Sequence, residues 1–350
     1  MKIQDYTFQI NEFSIHHLDD LLPEDSLLFD IETTGFKADY QTIYLIGIGF
    51  RKKSTITIRL LYARTKEEEI EILEEFEQTC FNYNRLISFN GDMFDLPFIT
   101  KRCKKLGISC SFLNLSSLDL FKVAKKYKSY LNLEHYKQKD LENYFGIFRE
   151  DQYNGGHLIE LYKKQTLMPD ASEEELLFLH NMEDVKGMIY LLQLMDFSII
   201  KNHNYSLTSF EFHRDEIHLT LLLPAPSNLC LKVMRENAFI YLKNDTLTVT
   251  LSCFVGKLKY FYPDYKNYVY VADENLLLPK SLASTIAKDR IQKATKQQCF
   301  IEKEGVFLRD TMNLDERHFK AEYEDKTSYV EINPTTLSEN FLVAYVRSLL

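Results

Sequence analysis

The chain has 350 residues and no run of 18 or more apolar ones, so no transmembrane helix and no membrane partner are expected. Its opening, MKIQDYTFQINEF, lacks a basic stretch followed by an apolar one, and a secretory leader is not expected. No two cysteines form a C-x-x-C pair. Cys80, Cys103, Cys110, Cys230, Cys253 and Cys299 are spread through apolar segments, which argues against a zinc site and for buried free thiols in a reducing cytoplasm. Low-complexity stretches and internal repeats are also missing.

What is there is an ordinary hydrophobic fraction, 45%, in a chain longer than one core usually supports. Two domains follow: residues 1–200 and a module over 205–350. The net charge of −9 argues at first against a nucleic-acid partner. Its distribution argues otherwise, because Lys101–Lys139 holds ten basic side chains against two acidic ones, Asp119 and Glu134. Lys101, Arg102, Lys104, Lys105, Lys125 and Lys126 are the candidate phosphate contacts. The simpler account is that they solvate helix surfaces.

Patterning predicts strands at 27–31, 42–50 and 54–62, a helix at 66–80, a strand at 85–89, a helix at 95–106 and a last strand within 113–120. A long helix is expected from about Glu173 to Phe197. This order implies an α/β fold with a mixed five-stranded sheet flanked by helices. The second module reads as α+β. It has a hairpin turning at Asn244-Asp245, a helix near 284–296, a hairpin around Lys303-Glu304-Gly305 and a closing helix in LSENFLVAYVRSLL.

Three acidic segments carry the chemistry. In LLFDIETTG, Asp30 and Glu32 are two apart on a strand and share a face, with Phe29 and Ile31 on the other. Two neighbouring carboxylates repel and call for a cation, and Mg²⁺ favours carboxylate oxygens with water and phosphate. In SFNGDMFDLPFI, Asp95 stands where a strand gives way to a helix, a place where a lone Asp usually caps. Asp92 beside Gly91 reads as a turn residue. In LFLHNMEDVKGMIYLLQL, His180 and Asp184 are four apart on one helix face, and Gly187 beyond them could admit another backbone or a substrate.

Together these segments resemble the Exo I, Exo II and Exo III motifs of DEDD exonucleases: D-I-E-T-T-G, N-G-x-x-F-D-L-P and H-N-x-x-D-V, in that order. The chain is most similar to bacterial predicted exonucleases with a YprB-type ribonuclease-H-like domain, and also to the proofreading domains of family B DNA polymerases. Residues 140–162, DLENYFGIFREDQYNGGHLIELY, look like the middle of the YprB-type domain. The likeness covers about 25–197 and leaves the second module unassigned. It implies a ribonuclease-H-like fold in which Asp30, Glu32, Asp95 and Asp184 bind two Mg²⁺ or Mn²⁺ ions. It also implies that His180, with an ordinary pKa near 6.5, orients or deprotonates the attacking water. The histidine subclass usually has four residues between His and Asp. Three stand here, the spacing of the tyrosine subclass. The implied activity is 3′–5′ exonucleolytic hydrolysis of a single-stranded DNA or RNA end, releasing nucleoside 5′-monophosphates. Phe94, Phe98, Phe121 and Tyr127 are candidate base-stacking residues, with Phe98 and Phe121 the better fit to a core. The competing readings are a structure-specific endonuclease, a non-catalytic nucleic-acid-binding module and a structural scaffold.

Overall fold

A computed structural model describes residues 1–151, 153, 155–313, 317–333 and 337–350. Contacts divide the chain into two units, Met1–Ser198 and Ile199–Leu350. Among the described residues, no helix is long and apolar enough to cross a membrane.

The first unit is a six-stranded sheet in the order β1-β4-β3-β2-β5-β6. Its strands are β1 (Lys2–Gln9), β2 (Ser26–Thr33), β3 (Ile43–Lys52), β4 (Thr55–Tyr62), β5 (Arg85–Ser88) and β6 (Ser116–Asp119). The sequence implied five. The sixth is β1, an edge strand antiparallel to β4, whose inward positions Lys2, Gln4, Tyr6 and Phe8 are half polar and so conceal the usual alternation. The sheet is mixed: β2 runs antiparallel to β3 and parallel to β5, and β5 is parallel to β6.

Alternation along β2 divides the site from the core. Phe29 and Ile31 enter an apolar cluster with Ile72 and Phe76 of helix α1 (Glu69–Cys80) and with Phe98, Ile99 and Cys103 of helix α2 (Asp95–Leu106). Burying each such side chain contributes about 1.5–3 kcal/mol. Arg102 ties α1 to α2 inside this layer, donating from Nε to Glu69 at 2.8 Å and from Nη1 to the Ala38 carbonyl at 3.0 Å. Helices α3 (Leu120–Lys126), α4 (Gln138–Tyr144) and α5 (Gly155–Leu167) follow β6, and then α6 (Ala171–Leu191), which packs on β2, β3 and β4. Asp170 caps α6, its carboxylate accepting from the amides of Ser172 and Glu173. The expected single helix to Phe197 is interrupted by a 3₁₀ segment, Leu192–Asp196.

The second unit is richer in strands than the expected α+β module. One antiparallel sheet runs β7 (Ser206–His213), β8 (Glu216–Leu222), β11 (Thr246–Ser252), β10 (Ala238–Lys243), β9 (Cys230–Arg235). Its β10–β11 hairpin turns at Asn244-Asp245 with Asn244 at φ 56°. A closed barrel is built from β12 (Phe254–Phe261), β16 (Phe300–Arg309), β18 (Tyr329–Ile332) and β17 (His318–Lys320). A small sheet joins β14 (Leu276–Pro279), β13 (Tyr268–Val271) and β15 (Ile291–Lys293). Two expectations are corrected. Residues 284–296 hold two 3₁₀ turns and β15 rather than a helix, and Lys303-Glu304-Gly305 continues β16, paired along β12, rather than turning. The closing helix α7 (Glu339–Leu349) is capped by Ser338 and buries Leu342, Tyr345, Val346 and Leu349. The six cysteines are free thiols, and Cys230 is exposed, unlike the buried thiols expected.

Candidate active site

The face of β2 opposite Phe29 and Ile31 presents Asp30 and Glu32 toward α6. Gly47 of β3 lies directly across from Asp30. A Cβ there would sit 2.2 Å from Asn181 Oδ1, so only glycine lets α6 come this close. Asn181 uses that proximity to donate from Nδ2 to Asp30 Oδ2 at 2.8 Å. Asp95 is the first residue of α2 and is not its cap. Its Oδ1 accepts from the Ile31 amide at 3.2 Å, on the side that β5 vacates, since β5 pairs with β2 only over Ser26–Leu28. Asp184 lies one turn beyond His180 on α6, and His180 Nε2 stands 3.3 Å from Glu32 Oε1 and 3.1 Å from Asp184 Oδ2. The four acids of the three motifs thus converge on one end of the sheet, with His180 between Glu32 and Asp184.

Convergence has an electrostatic cost. Burial, then the charges of Asp184, Asp95 and Glu32, push the Asp30 carboxyl well above its usual range. Burial also raises Glu32, and pushes Asp95 up to about 7. These groups resist ionising together, which is the condition a bound cation relieves. Glu32, His180 and Asp184 offer ligand atoms all within 4.8 Å of one another. Two carboxylates beside an imidazole are a donor set that a divalent cation can use.

His180 is engaged at both ring nitrogens. Nδ1 lies 2.7 Å from Asp151 Oδ2 and Nε2 faces two carboxylates. Burial lowers its pKa, but the hydrogen bonds with Asp151 and Glu32 and the Asp184 charge prevail and push it up to about 11.

Several residues here were not singled out in the sequence. Arg149 Nη1 donates to Asp184 Oδ1 at 2.5 Å, and its other nitrogens grip the buried Glu142. Glu142 occupies the space left by Gly187, where a Cβ would meet its Oε1 at 1.8 Å. The group admitted by Gly187 is therefore this carboxylate, neither a backbone nor a substrate. Gln138 Nε2 donates to Glu142 Oε1 at 2.9 Å and to the Asp184 carbonyl at 2.7 Å. Asp151, held below the usual carboxylate range by His180 and Lys139 against the effect of burial, orients His180. Glu142, Arg149 and Asp151 fall in the 140–162 segment, of which residues 152 and 154 lie outside the described residues.

The basic run is thinner than its composition implied. Arg102 is 3% exposed and bound to Glu69, so it is structural and offers nothing to a phosphate, a correction to its candidacy. Lys101 stands 3.8 Å from Asp39, Lys105 donates to the Asp39 carbonyl, Lys125 lies over the Phe121 and Tyr136 rings and Lys126 over Tyr127. Lys104 is exposed on α2. Asp92 is a turn residue paired with Lys122 and Ser117. Tyr127 is buried against Phe197 and Phe98 lies in the core, so neither is a stacking surface, while Phe121 is only half-buried. Exposed Phe36 and Met93 instead line a cleft of 210 Å³ with Phe94, Pro97 and Lys101, of which Met93 and Phe94 immediately precede Asp95 in the chain.

Residues 27–196 match the family model described as the RNase_H superfamily. Among solved structures the chain is similar to the family B DNA polymerase of the hyperthermophilic archaeon Pyrobaculum calidifontis, at 13% identity and a TM-score of 0.40. That match covers 69% of this chain and 35% of the polymerase. No curated protein matches. The mixed sheet, its flanking helices and the family match together make residues 27–196 a ribonuclease-H-like domain.

Proposed function

We propose that the chain is a metal-dependent 3′–5′ exonuclease that hydrolyses nucleic-acid phosphodiester bonds and releases nucleoside 5′-monophosphates. The observation that carries this reading is the gathering of Asp30, Glu32, Asp95 and Asp184 into one pocket, where burial and mutual repulsion raise the pKa values of Asp30, Glu32 and Asp95. These four would hold two divalent ions, Mg²⁺ or Mn²⁺, which when bound supply an acidified water and neutralise charge at the leaving oxygen. Asn181 fixes the Asp30 carboxylate, and the Ile31 amide fixes Asp95. His180, anchored by Asp151, turns Nε2 into the pocket, where it can hold a water or a phosphate oxygen in place. Phe36, Met93 and Phe94 offer an apolar shelf for terminal bases, and Lys101, Lys104, Lys105, Lys125 and Lys126 are the cations for the strand backbone.

The test is cleavage of 5′-labelled single-stranded DNA and RNA with Mn²⁺ or Mg²⁺, beside Asp30→Asn/Asp184→Asn. Wild type should shorten linear strands stepwise from the 3′ end and leave covalently closed circles intact. Cut circles would instead identify an endonuclease. Turnover no greater than the double variant's would end the nuclease reading.

One observation favours a second reading, a metal-free binding module. Arg149 already brings a positive charge to Asp184. Titrating Mn²⁺ calorimetrically into wild type and Arg149→Gln separates the two. Uptake by wild type supports the enzyme, and uptake by the variant alone supports the binding module.

A further inference from the structure

The second unit contains a cleft of 360 Å³, of a size that takes a small ligand, lined by Tyr265, Lys266, Tyr268, Lys280, Lys293 and Ala294. Three pieces of chain build it: the 3₁₀ turn Tyr265–Asn267 running into the start of β13, the residue after β14 and the end of β15. They are locked together by the pairs Tyr268↔Pro279 and Val269↔Lys293, and by Lys280 donating its amide to the Asn267 carbonyl at 2.8 Å. Among the described residues, no carboxylate lines the cleft. Arg290 binds both Asp273 and Glu274, while Asp264, next to Tyr265 in the chain, accepts from Asn267 Nδ2 at 3.4 Å. Among the described residues, none of the three lining lysines makes an ion pair. Lys296 adds a fourth cation over the Tyr265 ring at 5.7 Å. Tyr268 is held in a stack on Tyr262, with centroids 5.1 Å apart and rings 13° from parallel.

Like charges facing one hollow repel, and an anion relieves them. Two tyrosine rings among lysines suit an anion that carries an aromatic ring. We infer that this cleft binds a nucleotide unit, its base against Tyr265 or Tyr268 and its phosphates at Lys266, Lys280 and Lys293, either within a single strand or as a free nucleotide. The site lies wholly in the second unit and does not depend on the nuclease reading.

The test uses the full chain in EDTA, so that no strand is cut, with a fluorescent strand of about 12 thymidines followed by anisotropy over a salt series. Lys266→Gln/Lys280→Gln/Lys293→Gln should weaken binding at low salt at least about ten-fold, and reduce the slope of log affinity against log salt by about 2, near 0.7 for each phosphate released. Tyr265→Ala should weaken binding by about 5- to 100-fold and leave the slope unchanged. Thymidine monophosphate competing as well as the strand identifies a free-nucleotide pocket, and a strand that only longer oligonucleotides displace identifies strand binding. Displacement by inorganic phosphate alone, with Tyr265→Ala unchanged, would overturn the base contact. If the triple variant does not fold, photo-crosslinking of a bromouridine strand to wild type decides. A crosslink at Tyr265 or Tyr268 supports the site, and crosslinks confined to residues 1–198 overturn it.

Discussion

Gly187 has no side chain because Glu142 stands where one would be, and Arg149 and Asp184 depend on that placement. Gly187→Ala must displace a buried carboxylate and should cost about 1–3 kcal/mol, read as a lower denaturant midpoint. An unchanged midpoint would mean that Glu142 packs elsewhere. Glu77 gives a pH-dependent case. Burial alone would raise its pKa, but hydrogen bonds from Ser109 Oγ at 2.6 Å and the Ser111 amide at 2.7 Å hold it below the ordinary value. Its contribution is therefore complete above the unfolded value of 4.5 and is lost as pH falls through the lower folded value. Wild type's advantage over Glu77→Gln should be constant from about pH 8 to 5 and shrink below about 4.5. An advantage that persists unchanged at about pH 3 would refute it. Residues such as Asp30, Glu32 and His180 were legible because strand and helix periods place them. Arg149 and Asp151 were not, because a loop has no period to read.

At the scale of elements, α1 and α2 are joined by one buried ion pair, Arg102 with Glu69, and Glu69 also accepts the Ile43 amide at 2.8 Å. Arg102→Met should cost about 3–5 kcal/mol by stranding the Glu69 charge, and adding Glu69→Gln should recover part of that while keeping an acceptor for Ile43. Equal stability of the single and double variants in chemical denaturation would reject this account. The same pair explains why charge counting misjudged Arg102, since a basic residue in a basic run looks exposed until its acidic partner 33 residues earlier is brought beside it. The strands β2 to β5 and helix α2 were readable from apolar patterning, because their buried faces are uniform. Strand β1 was concealed by its polar inward positions. The Lys303–Gly305 stretch has the composition of a turn, yet pairs along β12 with Gly305 opposite Gly256, a case of tertiary pairing overriding local preference.

At the scale of the molecule, the chain divides into two units, each with its own buried apolar residues. If divalent ions bind the acidic pocket, only the unfolding transition of Met1–Ser198 should respond to them. Calorimetry with Mn²⁺ at about 100 times its dissociation constant should raise the stability of that transition by about 2.7 kcal/mol for each ion bound, about 5.4 kcal/mol for two, with EDTA reversing the change and the other transition unmoved. A shift in both transitions, or in neither, would contradict a pocket confined to the first unit. The acidic-and-basic balance of the sequence could not reveal this division, because charge sums carry no address.

The early departure of β5 from β2 has a consequence for how any substitution at Asp95 is interpreted. That carboxylate also serves as a surrogate strand, taking up the backbone amide of Ile31 that the sheet leaves open. Asp95→Ala would remove a candidate ion ligand and orphan a main-chain donor at once, so its phenotype would mix chemistry with architecture. Asp95→Asn keeps an acceptor for the amide while discarding the negative charge, and is the variant that isolates the chemistry.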